Sequence, residues 1–298
     1  MSSPHSSSEF AGKQLKQARQ SLARGFQDVD TSGDPNTCRR CLDLLSRIPF
    51  FYAVKEESFG IIANSNPEMV LDAGCGAGID LVSLAAYLSA HSQIIGLDAS
   101  QSLLALAAGR TSSIKEQCLL VRGNIMQIPF KDGVFDACRI DRVLQHLREP
   151  QKGIRELARV IHPGGTLVAF DNDWDTFSIS LDNQDIAARL SRFWRDSFAS
   201  GRIGRELPGI FQNCGLTDIH AEPHTLTLTD LSAAGQIFDL LVLLDRMVQA
   251  GVLAPAYRGT IQEELHLRAQ EGTFSSGRFK EFRPRCRFYS GEGTPRRS

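Results

Sequence analysis

Two spacings alternate through the middle of the chain. Short, almost wholly apolar runs lie near residues 69–73, 94–98, 118–122, 134–140 and 166–171. Between them, apolar positions recur at helical intervals near 78–89, 100–109 and 150–161. Strands alternating with helices predict an α/β fold in which a Rossmann-like parallel sheet carries helices on both faces. In such a sheet, ligands sit beyond the carboxyl ends of the strands, where the strand order reverses.

The flanks follow different patterns. Leu15, Ala18 and Leu22 predict a helix over Lys13–Arg24, which the polar stretch Asp28–Pro35 interrupts. A second helix is expected over Thr37–Ser46, and the aromatic segment Pro49–Lys55 leads into a third through Ile62, with Phe51 and Tyr52 as candidates for a substrate pocket. After the fifth strand, Ile186, Leu190, Phe193 and Trp194 mark an amphipathic helix over Asp182–Phe198. A helix stopped by glycine (Arg205–Leu216), a strand with alternating threonines (Thr217–Thr229) and an apolar helix (Phe238–Ala250) follow. The arginine-rich stretch Gly272–Ser298 is either an edge strand over Arg283–Tyr289 or a loose tail. This organisation divides the chain into a disordered tail (1–12), an N-terminal helical cap (13–66), a Rossmann-like core (67–175), a cap helix with the rest of the core (176–271) and the basic tail (272–298).

Composition narrows the function more than the fold. With 298 residues, 42% of them hydrophobic, the chain can bury a sizeable core. Its 33 basic and 34 acidic residues leave a net charge of -1, so no global field attracts nucleic acid or an anionic membrane. The serine-rich start has no apolar segment of a secretion signal and no run approaches a membrane span, so a cytoplasmic protein is expected. Seven scattered cysteines suit reduced thiols; Cys38-Arg39-Arg40-Cys41 has metal-site spacing but no second half-site, and no metal is expected.

The candidate chemistry concentrates at strand ends. Met69–Ala73 runs into Gly74-Cys75-Gly76-Ala77-Gly78, a turn where glycine permits positive φ and lets the main chain approach a ligand. Twenty residues beyond Gly78, Asp98 closes the next strand, placed to accept the hydroxyls of a ribose. Position 79 is Ile, so the dinucleotide spacing G-x-G-x-x-G is not met. The glycine motif, Gly123-Asn124-Ile125, Val134–Cys138, Val143–Leu147 and Arg159–Leu167 stand in one order that resembles the class I S-adenosylmethionine-dependent methyltransferases, over about residues 67 to 175. Within that family the resemblance is to the quinone-biosynthesis and natural-product branch, in which helical elements before the sheet and after its fifth strand enclose small substrates.

The resemblance implies S-adenosylmethionine as cofactor, held by Asp72, Gly74, Cys75, Gly76, Asp98, Ala99, Asn124, Ile125 and Asp141. Asn124 and Ile125 would clasp adenine, and the turn at Asp141 would face the sulfonium. Methyl transfer asks mainly for alignment and, with a weakly acidic nucleophile, for a base. His146, whose ordinary pKa suits that role, and Asp173, beside Trp174 at the same mouth, are the candidates. The expected reaction is in-line transfer to oxygen, nitrogen or carbon of a small molecule. A protein or nucleic-acid substrate, supported only by the basic tail, and a scaffold that binds cofactor without turnover stay open as alternatives. Oligomeric state is not legible.

Overall fold

A computed structural model describes residues 25–31 and 35–288. The expected tail at 1–12, the Lys13–Arg24 helix and the end of the basic tail lie outside these residues. Seven strands form one sheet: β1 (Met69–Ala73), β2 (Gln93–Asp98), β3 (Cys118–Arg122), β4 (Phe135–Asp141), β5 (Ile161–Asp173), β6 (Leu216–Leu228) and β7 (Ser276–Phe288), in the order β3-β2-β1-β4-β5-β7-β6. Strands β1 to β5 are parallel, with Leu71 level with Ile95 on one side and Cys138 on the other. The chain starts at β1, steps outward to β3, then returns to β4 on β1's other side. The crevice at that reversal is where the fold offers a site.

Helices α1 (Pro35–Leu45) and α2 (Pro49–Ala63) precede the sheet, and α3 (Ile79–Tyr87), α4 (Gln101–Arg110) and α5 (Pro150–Val160) connect the parallel strands. Their starts follow local chemistry. Proline occupies the first turn of α2 and α5, where a missing N–H costs nothing, and the Ser100 side chain accepts from Leu103 N at the start of α4. Two buried layers sandwich the sheet. Leu71, Leu97, Phe135, Ile140 and Leu157 belong to one, and Phe59, Val70, Leu81 and Ile94 to the other. Burial on both faces explains why the central strands read as unbroken apolar runs.

Beyond β5 the chain builds α6 (Gln184–Arg195), α7 (Ile203–Asn213), α8 (Leu231–Ile237), α9 (Leu240–Gln249) and α10 (Pro255–Gln270). Asn183 and Asp230 cap α6 and α8, and Gly215 leaves α7 at φ +79°. Phe51 of α2 meets Trp174, Phe177, Trp194 and Phe238 in a third, aromatic cluster. The sequence pattern does not predict α8 or α10. The last strand also differs from expectation: β7 is neither loose nor at the edge but antiparallel between β5 and β6, with Leu167 opposite Cys286 and Leu216 opposite Phe288. The edge position belongs to β6. Among the described residues, no helix is long and apolar enough to cross a membrane.

Candidate active site

A cavity of about 480 Å³ opens at the carboxyl ends of β1, β2 and β4. One half of it is main chain. After β1 the backbone enters the left-handed region at Gly74 (φ +76°), Gly76 (φ +54°) and Gly78 (φ +73°). A Cβ at Gly74 would stand 2.3 Å from a Val143 methyl, so both the φ and the space require glycine there. The N–H groups of Gly74 and Cys75 both donate to Leu97 O, at 2.7 and 3.0 Å, which ties the turn to β2. Asp98, next in β2, accepts from Gly76 N and from Ser100 N, each at 2.8 Å. Burial raises its pKa, while those N–H groups hold it down.

A second acid closes this half from outside. Asp30 accepts from the Ser100 hydroxyl at 2.6 Å and from Gln101 N at 2.8 Å, so residues 26–31 line the cavity across the N-terminus of α4. The Ser100 hydroxyl, with the free N–H groups of the helix, brings the Asp30 pKa down to about 2.

Under the glycine turn lies a buried ionic cluster. Arg139 of β4 donates to Asp72 (3.0 Å), Asp80 (3.0 Å) and Asp141 (2.6 Å), and Lys55 of α2 donates to Asp80 (2.7 Å). Burial works against the Arg139 charge, but the three carboxylates outweigh it and hold the pKa above the usual arginine range. Burial likewise pushes Asp141 up, and Arg142, Lys55 and Arg139 outweigh it, leaving the carboxyl ionised. Asp72, with Arg139 close by, is raised to about 6 because desolvation dominates there. Arg142 follows at φ +54°, strained for a side chain of its size, with its guanidinium 4.9 Å from the Phe51 ring centre.

The other half is built of side chains. Trp174 stacks on Phe198 (5.0 Å between centres) and meets Trp194 edge-on (5.5 Å), and His146 lies between Phe26 and Phe198 at 5.6 and 5.7 Å. Gln145 organises this wall. Its Nε2 donates to Arg142 O, and its Oε1 accepts from Trp174 Nε1 (2.7 Å) and Asn172 Nδ2 (3.0 Å). Asp171, with no solvent exposure, accepts from Gln145 N, and burial raises its pKa to about 7.

Most expected residues meet here: Gly74, Gly76, Asp98, Ala99, Asn124, Ile125, Asp141, His146, Phe51 and Trp174 all line the cavity. The Asn124 oxygen also accepts from Met126 N at 2.9 Å, fixing its own turn. Four residues do not line it. Asp72 is buried beneath the turn on Arg139, and the Cys75 side chain points toward Gly96. Asp173 is 1% exposed and accepts from Arg205 Nε at 2.7 Å, so it is an anchor for α7 rather than a base. Tyr52, 53% exposed, faces outward one helical step from buried Phe51. Residues absent from the expectation include Asp30, Gln145, Asn172, Trp194 and Phe198; Asp30 stood in a stretch read only as a helix breaker, and Trp194 in a helix read only as cap. Cys38 and Cys41 are buried, and burial pushes the Cys41 thiol up to about 12, which suits packing. Outside the cavity, Glu57, Glu222 and His224 bring ligand-type atoms within 4.8 Å of one another.

A parallel sheet reversing beside its first strand, a glycine turn at that strand's end and an acid closing the next strand form the arrangement that the resemblance to class I S-adenosylmethionine-dependent methyltransferases implies. Residues 71–169 match the family model described as methyltransferase domain. The chain is 35% identical over 187 residues to an uncharacterized 37.1 kDa protein in a transposon of Streptomyces fradiae, covering 62% of this chain and 54% of that one. It thus spans about half the length of that relative. It is 24% identical over 189 residues to demethylmenaquinone methyltransferase of Bacillus mycoides, covering 58% of this chain and 80% of the relative. Among solved structures, the YcgJ protein from Bacillus subtilis superposes with a TM-score of 0.54 at 19% identity, over 79% of this chain and all of that one. A phosphoethanolamine N-methyltransferase from Haemonchus contortus, bound to S-adenosylhomocysteine, reaches 0.55 at 16% identity, over 90% of this chain and 60% of that one. At such identities the solved structures speak for the fold. Residues 71–169 thus match a methyltransferase domain, set in a sheet that shares the fold of these solved structures.

Proposed function

We propose that this protein transfers a methyl group from S-adenosylmethionine to oxygen, nitrogen or carbon of a small molecule in cytoplasmic biosynthesis. The observation that carries the reading is the single cavity joining the glycine turn and Asp98 to the enclosed aromatic wall. The residues fit the cofactor: Gly74 and Gly76 leave main chain where a Cβ would stand, and Asp98 keeps lone pairs for two hydroxyls. Asn124, Ile125, Ala99 and Asp141 complete the set. Bound there, S-adenosylmethionine supplies a methyl group on a positively charged, ready leaving group. The protein's part is to align the acceptor atom and exclude water, which the aromatic wall does. His146, the one histidine lining the cavity among the described residues, takes the acceptor's proton on its imidazole. The enclosed wall, formed by Trp174, Trp194 and Phe198, favours a small substrate over protein or nucleic acid, and the six cysteines that are free among the described residues suit a reducing compartment.

The test is to incubate the full chain with methyl-labelled cofactor and a fractionated extract of the source cell. Label is expected in the small-molecule fraction. Label confined to protein or nucleic acid would overturn the substrate class, and cofactor binding without S-adenosylhomocysteine formation would leave a binding protein instead.

A further inference from the structure

Away from the cavity, α2 and β6 meet at a rim with its own chemistry. Val54 of α2 and Leu226 and Leu228 of β6 are buried in the aromatic cluster that holds Phe51. Side chains along a strand alternate between faces, so His224 and Glu222 extend the Leu228-Leu226 row outward from that cluster, from buried through half-buried to exposed. Glu57 stands one helical turn beyond Val54 and approaches the same row. Each of the three offers one ligand-type atom, an imidazole nitrogen or a carboxylate oxygen, and these atoms lie within 4.8 Å of one another. No spacing in the sequence announces the set, because Glu57 precedes the sheet and the other two lie on its sixth strand.

We infer that Glu57, Glu222 and His224 form a divalent-metal site, filled by zinc, that braces α2 against β6. One imidazole with two carboxylates suits zinc, which takes nitrogen and oxygen donors together, better than magnesium or calcium, which take oxygen. Zinc bonds such atoms at about 2.0–2.2 Å, so its ligand atoms stand roughly 3–4 Å apart. With Glu57 and Glu222 exposed, side-chain rotation closes the difference. Water takes the fourth position of the tetrahedron. The register of β7 sets Glu281 level with His224 and Arg283 level with Glu222, one acid and one base, so the neighbouring strand adds no net charge against a cation. None of the three ligands lines the cavity, so the ion takes no part in methyl transfer. It ties the helix that carries Phe51 and Lys55 to an edge strand far along the chain.

Equilibrium dialysis of the untagged full chain, stripped with chelator and returned to zinc, tests the site. About one zinc ion per chain is expected to bind in the micromolar range, and Glu57→Gln, Glu222→Gln and His224→Gln should each weaken it at least tenfold. Zinc at about a hundredfold excess over its dissociation constant should raise the midpoint of thermal unfolding by at least about 3 °C, and that of each variant by no more than half as much. Cobalt in place of zinc should give the weak visible bands of nitrogen and oxygen ligation. Strong thiolate-to-cobalt absorption would put the metal on Cys38 and Cys41 and overturn the site. So would zinc binding that survives His224→Gln, displacement of zinc by an equal concentration of magnesium or calcium, or no binding at submillimolar zinc. S-adenosylhomocysteine titration reports folding of each variant; should one lose it, the stoichiometry and the cobalt spectrum of the unaltered chain decide alone.

Discussion

The two halves of the cavity are made of different material. The half holding Gly74, Gly76 and Asp98 is main chain, clamped to the sheet by backbone hydrogen bonds and underpinned by the Arg139 ion cluster. The half holding Trp174, Trp194 and Phe198 is side chain, brought in by β5, α6 and the turn that follows it. The first suits a ligand that never varies, since main-chain geometry changes little with sequence. The second can be re-cut by substitution without moving a strand, which suits a substrate that differs between relatives.

The comparison predicts unequal costs. Arg139→Leu should be the most damaging change, because Asp72 would be left as a buried acid without its cation and Asp141 would keep only Arg142 and Lys55. The loss expected in urea denaturation is about 3–5 kcal/mol. A loss below about 1 kcal/mol would show that the cluster does not support the glycine half. Gly74→Ala comes next. Its positive φ alone costs about 1–3 kcal/mol, and the 2.3 Å approach to Val143 adds a displacement of the turn. Titration with S-adenosylhomocysteine should show affinity falling by more than tenfold. Asp98→Ala removes a hydrogen-bond acceptor worth about 1–3 kcal/mol and should weaken the same titration by one to two orders of magnitude; unchanged affinity would remove Asp98 from the site.

A smaller effect separates the halves by pH. Asp171 sits beneath Gln145 with a pKa raised to about 7 by burial, against an ordinary value of 3.8. The folded state therefore holds a proton that the unfolded chain releases. Stability from this group is full below about pH 4, declines as pH rises to about 7 and is lost above. Asp171→Asn, which cannot ionise, should gain stability relative to the unaltered protein between pH 5 and pH 8. A difference independent of pH in paired thermal melts would mean the carboxyl is ionised in the fold throughout.

What was legible in the sequence divides along the same line. Gly74 and Asp98 were readable because the backbone there admits one residue type and the next strand presents one acid. The aromatic half was readable only at Phe51, His146 and Trp174, because its walls come from residues as far apart as Phe26 and Phe198. Asp173 was misplaced for a reason of parity. Successive residues of a strand face opposite ways, and β5 is buried on both faces, so no alternation in the sequence says that Asn172 and Trp174 face the cavity while Asp173 faces Arg205. The inner position of β7 escaped, although a strand at the edge was one of the two readings, because its arginine-rich stretch lacks the apolar run that marked the other inner strands.

The smallest expected effect tests the helical counterpart of that parity. Pro49-Phe50-Phe51-Tyr52 gives four bulky positions in a row, so the sequence does not distinguish the inner face of α2 from the outer. The structure does: Phe51 is 2% exposed beneath the Arg142 guanidinium, and Tyr52 is 53% exposed. Tyr52→Ala should change stability by no more than about 0.5 kcal/mol, as expected of a surface position, and leave turnover as it was. Phe51→Ala should cost about 3–5 kcal/mol and loosen Arg142, and with it the turn that Gln145 grips. If Tyr52→Ala instead slowed turnover while Phe51→Ala did not, α2 would present its other face to the cavity, and the boundary drawn here between the two halves would have to move.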